Sequence, residues 1–145
     1  GNESPINPNS FLEGIRIGTL KNSLTEQFIQ TRYPKAKAVD FQGALAREQG
    51  LRSLNQGEID AFASDGILLV GALRQQNLSV ENYTLIPQKP LTCDFYGLAL
   101  PSADRRWQDT VNAFMSATAA KQVQQTWLAE AIPTAISDAE YCLSR

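Results

Sequence analysis

IRIGTLKNSLTEQFIQTRYPKAKAVDF, residues 15–41, switches from strand periodicity to helix periodicity and back again. In its first part Ile15, Ile17 and Thr19 alternate with Arg16, Gly18 and Leu20, which is the pattern of a strand. Ser23-Leu24-Thr25-Glu26 then makes an S-x-x-E capping box, in which a hydroxyl and a carboxylate satisfy the free N–H groups of a starting helix. Leu24 and Phe28 fall on one face of that helix. Pro34 ends it, because proline lacks an N–H and crowds the preceding turn. Residues 37–41 read as a second strand with Val39 and Phe41 on one face. Strand, helix, strand in so short a span is a βαβ unit, and its crossover favours a right-handed, parallel arrangement.

Working outward, a second helix is expected over residues 44–55, with Ala44, Leu51 and Leu54 at helical spacing. Arg47 interrupts its apolar face, and Gly50 weakens its interior. Asn55-Gln56-Gly57 supplies the stop. EIDAFAS, residues 58–64, reads as a third strand, and Asp65 opens a third helix marked by Ile67, Leu69, Val70 and Leu73. YTLIP (83–87) and FYGLALP (95–101) are further strand candidates. A long helical stretch starts at Asp104, with Trp107, Val111, Phe114, Val123 and Trp127 as apolar markers and a break near residues 117–120. Tyr96 and Trp107 are expected in the core. The fold class is therefore α/β: a mainly parallel sheet of about five strands flanked by helices, with a long C-terminal helical segment. The expected division is a polar leader over 1–12, an α/β body over 13–101, and a helical return segment with tail over 102–145.

Composition narrows the function. The 145 residues are 43% hydrophobic and 19% charged, the balance of a globular chain. A net charge of −2, from 13 basic and 15 acidic residues, offers no basic footprint for nucleic acid or a membrane surface. The longest apolar run, around Ile67–Leu73, is too short to span a bilayer. With no histidine, acid/base catalysis by imidazole, His-containing triads and His-ligated metals are excluded. Cys93 and Cys142 are too few for a Cys-only zinc site and too far apart for a CxxC motif. They are either two free thiols in a reducing compartment or one disulfide in an exported protein. The first ten residues are polar and loop-like, so any targeting segment is expected to have been removed.

In open α/β sheets ligands collect beyond the carboxyl ends of strands. Two such places carry polar groups. Lys21-Asn22-Ser23-Leu24-Thr25 precedes a helix N-terminus, whose free N–H groups and dipole suit a carboxylate. Its plain alternative is a capped helix. Ser64-Asp65 ends the third strand, where a carboxylate can receive an ammonium. Its plain alternative is again an N-cap. Side by side, an anion pole and a cation pole match a zwitterion such as an amino acid.

These residues also carry a resemblance. IGTLKNSLTEQF, LNQGEIDAFASDG, YGLALPSAD, and finally VNAFM with VQQTWL occur in this order, and the resemblance they carry runs from Ile15 to Trp127. The chain resembles the second lobe and return segment of the family 3 extracellular solute-binding proteins, which are type II periplasmic clamshells. They serve amino-acid ABC transporters and are related to the ligand-binding cores of ionotropic glutamate receptors. The resemblance implies that Ser23 and Thr25, helped by backbone N–H groups around Asn22, bind the ligand carboxylate. It implies that Asp65, beside Ser64, binds the α-ammonium. Asn22 stands where the family usually has Gly, and Leu24 where Thr or Ser is common. Asp60 lies within the second motif and is expected to serve the strand rather than the ligand. The receptors pair two cysteines in matching places, so the resemblance implies a Cys93–Cys142 disulfide.

The family's first lobe supplies an Arg and a covering aromatic that have no counterpart here, so the chain reads as a truncated product lacking that lobe. The expected role is capture of an amino acid or similar small polar ligand for an ABC permease, in a periplasmic or extracellular setting, without cofactor or catalysis. A ligand-sensing domain of a receptor, channel or signalling protein is the alternative. An enzyme ranks below both, because the site offers only Asp65 and two hydroxyls for acid/base work. The C-terminal helix, through Trp107, Val111 and Phe114, is expected to self-associate.

Overall fold

A computed structural model describes residues 6–87, 89–94, 96–124, 126 and 141–144. The chain divides into two compact units, residues 1–88 and 89–145. In the first, β1 (Arg16–Leu20), α1 (Leu24–Arg32), β2 (Lys37–Phe41), α2 (Ala46–Asn55), β3 (Ala61–Phe62) and α3 (Gly66–Gln75) follow in order, and a 3₁₀ turn spans Val80–Asn82. The sheet is wholly parallel with order β2-β1-β3. Ile17 pairs with Ala38 on one side and Ala61 on the other.

Because β1 is central, both of its faces are covered: Ile17, Gly18 and Thr19 are buried in succession. Leu12, Ile17, Ile29 and Tyr33 form the core on the α1 face. On the opposite face Leu51 of α2, Ile59, Phe62 and the Leu69, Ala72 and Leu73 side of α3 form the other, with Val39 and Phe41 packed against it. Helices on both faces of a parallel sheet make this a doubly wound α/β unit. Gly18 is required by that packing, since a Cβ there would lie 2.7 Å from Ile59 Cδ1 and from Phe62 Cδ2. Residues 6–12 lie over the α1 face: Leu12 is buried, and the Tyr33 hydroxyl donates to Pro8 O at 2.7 Å.

The expected sheet of about five strands is corrected to three among the described residues. Tyr83–Pro87 and residues 96–101 are irregular. Their alternation marks an amphipathic segment, but a strand also needs a partner edge, and Pro87 and Pro101 each withhold a donor. Leu85 instead covers Gly66 at the start of α3. Phe95 lies outside the described residues, as does Trp127. Leu24, expected on the apolar face of α1, is 75% exposed, and Ile29 fills the core in its place.

Asp60 has the role in the strand that its position implied. Its Oδ2 accepts from Arg16 N at 2.8 Å and Arg16 Nε at 3.0 Å, and its Oδ1 accepts from the guanidinium at 2.7 Å. This fork fastens the start of β1 to the residue before β3. The side-chain bond to Arg16, then the backbone bond, holds the Asp60 carboxyl below its ordinary range, and the same pair raises Arg16. A carboxyl lowered on folding contributes stability above its unfolded pKa, and that contribution is lost as pH falls through the folded pKa. Thermal melts below pH 5 should therefore show a shallower acid decline for Asp60→Asn than for the parent. Parallel acid limbs would rule the fork out as a contributor.

The second unit contains α4 (Arg105–Ser116) and α5 (Thr118–Gln124). Asp104 caps α4, its Oδ1 accepting from Trp107 N at 2.9 Å. The break at Ala117, with ψ at 157°, falls in the expected stretch. Cys93 and Cys142 form a disulfide, and Lys89 Nζ lies 4.8 Å from the centre of the Tyr141 ring. Tyr96 is 70% and Trp107 49% exposed, so neither is a core residue as expected. Among the described residues, no helix is long and apolar enough to cross a membrane.

Candidate functional site

With order β2-β1-β3, the connections leave β1 and β3 toward helices on opposite faces, so the carboxyl ends of these neighbours border a switch point in the topology. Both sequence-identified turns lie there. Residues 21–23 leave β1 for α1, and residues 63–65 leave β3 for α3. Gly18 O accepts from Ala63 N at 2.9 Å, which carries the strand pairing up to the start of the second turn.

The first turn is built by its own residues. Lys21 N donates to Phe41 O at 2.8 Å, continuing the β1–β2 ladder. Asn22 then turns left-handed, with φ at 60°. Asparagine tolerates that region as few residues other than glycine do, so Asn22 takes the conformation for which Gly is the usual choice. Ser23 caps α1: its Oγ accepts from Glu26 N at 3.1 Å and donates to Leu20 O at 2.6 Å. The Glu26 carboxylate accepts from Asn22 N, one residue earlier than a standard capping box. Its other oxygen accepts from Gln30 Nε2 at 3.3 Å. In this conformation an anion already sits at the N-terminus of α1, and it belongs to the protein. Thr25 is half-buried beside it.

The second turn is left open. Asp65 occupies the N-cap position of α3, yet its side chain makes no capping bond; its backbone C=O accepts from Leu69 N at 2.9 Å. The carboxylate is exposed, and no ion pair involves it among the described residues. Ser64 is half-buried next to it. An exposed carboxylate with free lone pairs can accept from an ammonium or guanidinium donor.

Arg47, which interrupts the apolar pattern of α2 in the sequence, also lies at this edge. The loop after β2 brings the first turn of α2 to the same carboxyl edge. There Arg47 stands three and four residues before Gly50 and Leu51, both buried, and so shares their sheet-facing side. Its Nε is enclosed without a hydrogen-bond partner among the described residues, as is Glu48 Oε2. The signal available in the sequence was a cation at i−3 and i−4 from buried positions, one turn beyond the end of a strand. Among the described residues no group of His, Cys, Asp and Glu is arranged to hold a metal ion. Comparison with family models, with curated proteins and with solved structures finds no match to this chain.

Proposed function

We propose that this chain is one lobe of a clamshell binding module that takes a small polar ligand of the amino-acid class and does no chemistry on it. The observation that carries the reading is the location of the Asn22–Thr25 and Ser64–Asp65 turns, which flank the β1/β3 switch point from adjacent parallel strands. Asp65 takes the ammonium. The disulfide suits an oxidising compartment, and capture in the periplasm for an ABC permease is the role that joins these features. Closure of a second lobe over this edge would complete the cleft.

The test is an amide NMR titration of this chain with a panel of amino acids at millimolar concentration. The expected result is saturable shifts in residues 64–66 and in the turn before α1, differing in size among the amino acids. Silence in both turns across the whole panel would sink the reading.

A further inference from the structure

We infer that Arg47 is the anion-gripping residue of this edge, taking a carboxylate of the ligand through its guanidinium. The inference rests on the reading of the carboxyl edge as the binding face and names the group that selects the ligand there. It also moves the anion pole away from the turn before α1. In that turn the Asn22 N–H is held by Glu26, and the Ser23 hydroxyl donates to Leu20 O. A ligand carboxylate arriving there meets a carboxylate already in place, and like charges at hydrogen-bond range repel.

Arg47 offers a cation instead, beside Glu48, whose Oε2 is likewise enclosed without a partner among the described residues. It lies on the sheet-facing side of α2, above the core formed by Leu51, Ile59 and Phe62. Its Nε is withdrawn from solvent yet accepted by no described group, and it takes part in no ion pair among the described residues. Buried donors in folded proteins are almost always paired, so an orphaned guanidinium nitrogen calls for an acceptor. Guanidinium presents parallel N–H groups matched to the two oxygens of a carboxylate, which a lysine cannot reproduce. It is also the only cation in the first turn of the helix that follows β2. The ligand class is therefore one carrying a planar carboxylate as well as an amine: Arg47 takes the first, and Asp65 the second.

The Arg47 Nε–Hε resonance is the signal to follow, in the parent chain and without a variant. Acetate, titrated at constant ionic strength, is expected to shift that resonance saturably, whereas glycinamide, an amine without a carboxylate, leaves it in place. Arg47→Lys should weaken acetate binding at least tenfold. A shift of equal size with chloride would reduce the effect to general ion pairing and overturn the inference. Acetate shifts in the amides of 22–25, with Arg47 unmoved, would overturn it while leaving the site reading standing. If Arg47 stays unmoved and neither turn responds to acetate, glycinamide or any amino acid, both fall together.

Discussion

Gly50→Val is expected to lower the melting temperature of the first unit by roughly 10 °C, even though valine is the better helix former. The propensity gain is small, about 0.5 kcal/mol, because valine loses rotamer freedom against the preceding turn. Against it stands the packing of Phe62. A Cβ at position 50 would lie 2.6 Å from Phe62 Cζ and 2.8 Å from its Cδ2, well inside ordinary contact. The ring has nowhere to retreat, since Phe41 meets it edge-on with centroids 5.7 Å apart and Gly18 backs it from β1. Overpacking of this kind costs about 1–3 kcal/mol, and valine adds two further methyl groups to the first carbon. The packing loss outweighs the propensity gain. A double-mutant cycle with Phe62→Ala isolates the cause: the two losses should fall short of additive by about 1 kcal/mol or more. A Gly50→Val chain that melts at or above the parent would mean that Phe62 is not seated between these glycines.

That glycine shows where sequence reading reaches its limit. Periodicity identified α2, and Gly50 registered only as a weakness within it, because pattern rules know the helix but not the ring that lies against it. The βαβ unit at residues 15–41 was legible in its elements, since the capping box, Pro34 and the Val39/Phe41 face are all local signals and β1, α1 and β2 follow from them. It was not legible in the packing of α1, where Ile29 and not Leu24 fills the core. Residues 83–87 and 96–101 misled for the converse reason. Alternation is local, whereas a strand is completed by a neighbour, and nothing in the residues themselves reports whether an edge is available.

The candidate site divides along the same line. Which turns lie at the carboxyl edge followed from element order alone. What those turns do with their donors did not. The Ser23–Glu26 box was visible, but the commitment of Asn22 N–H to the Glu26 carboxylate depends on the left-handed turn at Asn22. The openness of Asp65 likewise depends on a backbone conformation, φ −58° and ψ 127°, in which its side chain does not fold back on α3. Arg47 is hard to single out in the sequence, because a charge on an apolar face looks like noise in a hydrophobic pattern. At the start of a sheet-facing helix, the same charge lies at the carboxyl edge of the sheet.

Removing the disulfide, by Cys93→Ser with Cys142→Ser, is expected to unfold the second unit selectively. The link joins residues 49 apart, and closing a loop of that size restricts the unfolded chain by about 4 kcal/mol in the chain-entropy model. The first unit has two hydrophobic cores to hold it, one on each face of its sheet. Among the described residues the second shows much less: α4 buries no residue, and Ala120 is the one buried hydrophobic residue there. With so little apolar burial among the described residues, the crosslink is expected to carry much of the stability of this unit. Hydrogen exchange should therefore lose protection across residues 105–124 in the double variant, and equally in the parent after reduction. The amides of β1 should keep theirs, because nothing in the β2-β1-β3 ladder involves either cysteine. Unchanged protection in α4 and α5 after reduction would show that these helices have a source of stability other than the crosslink. Loss of protection in β1 as well would mean that the first unit does not stand on its own cores.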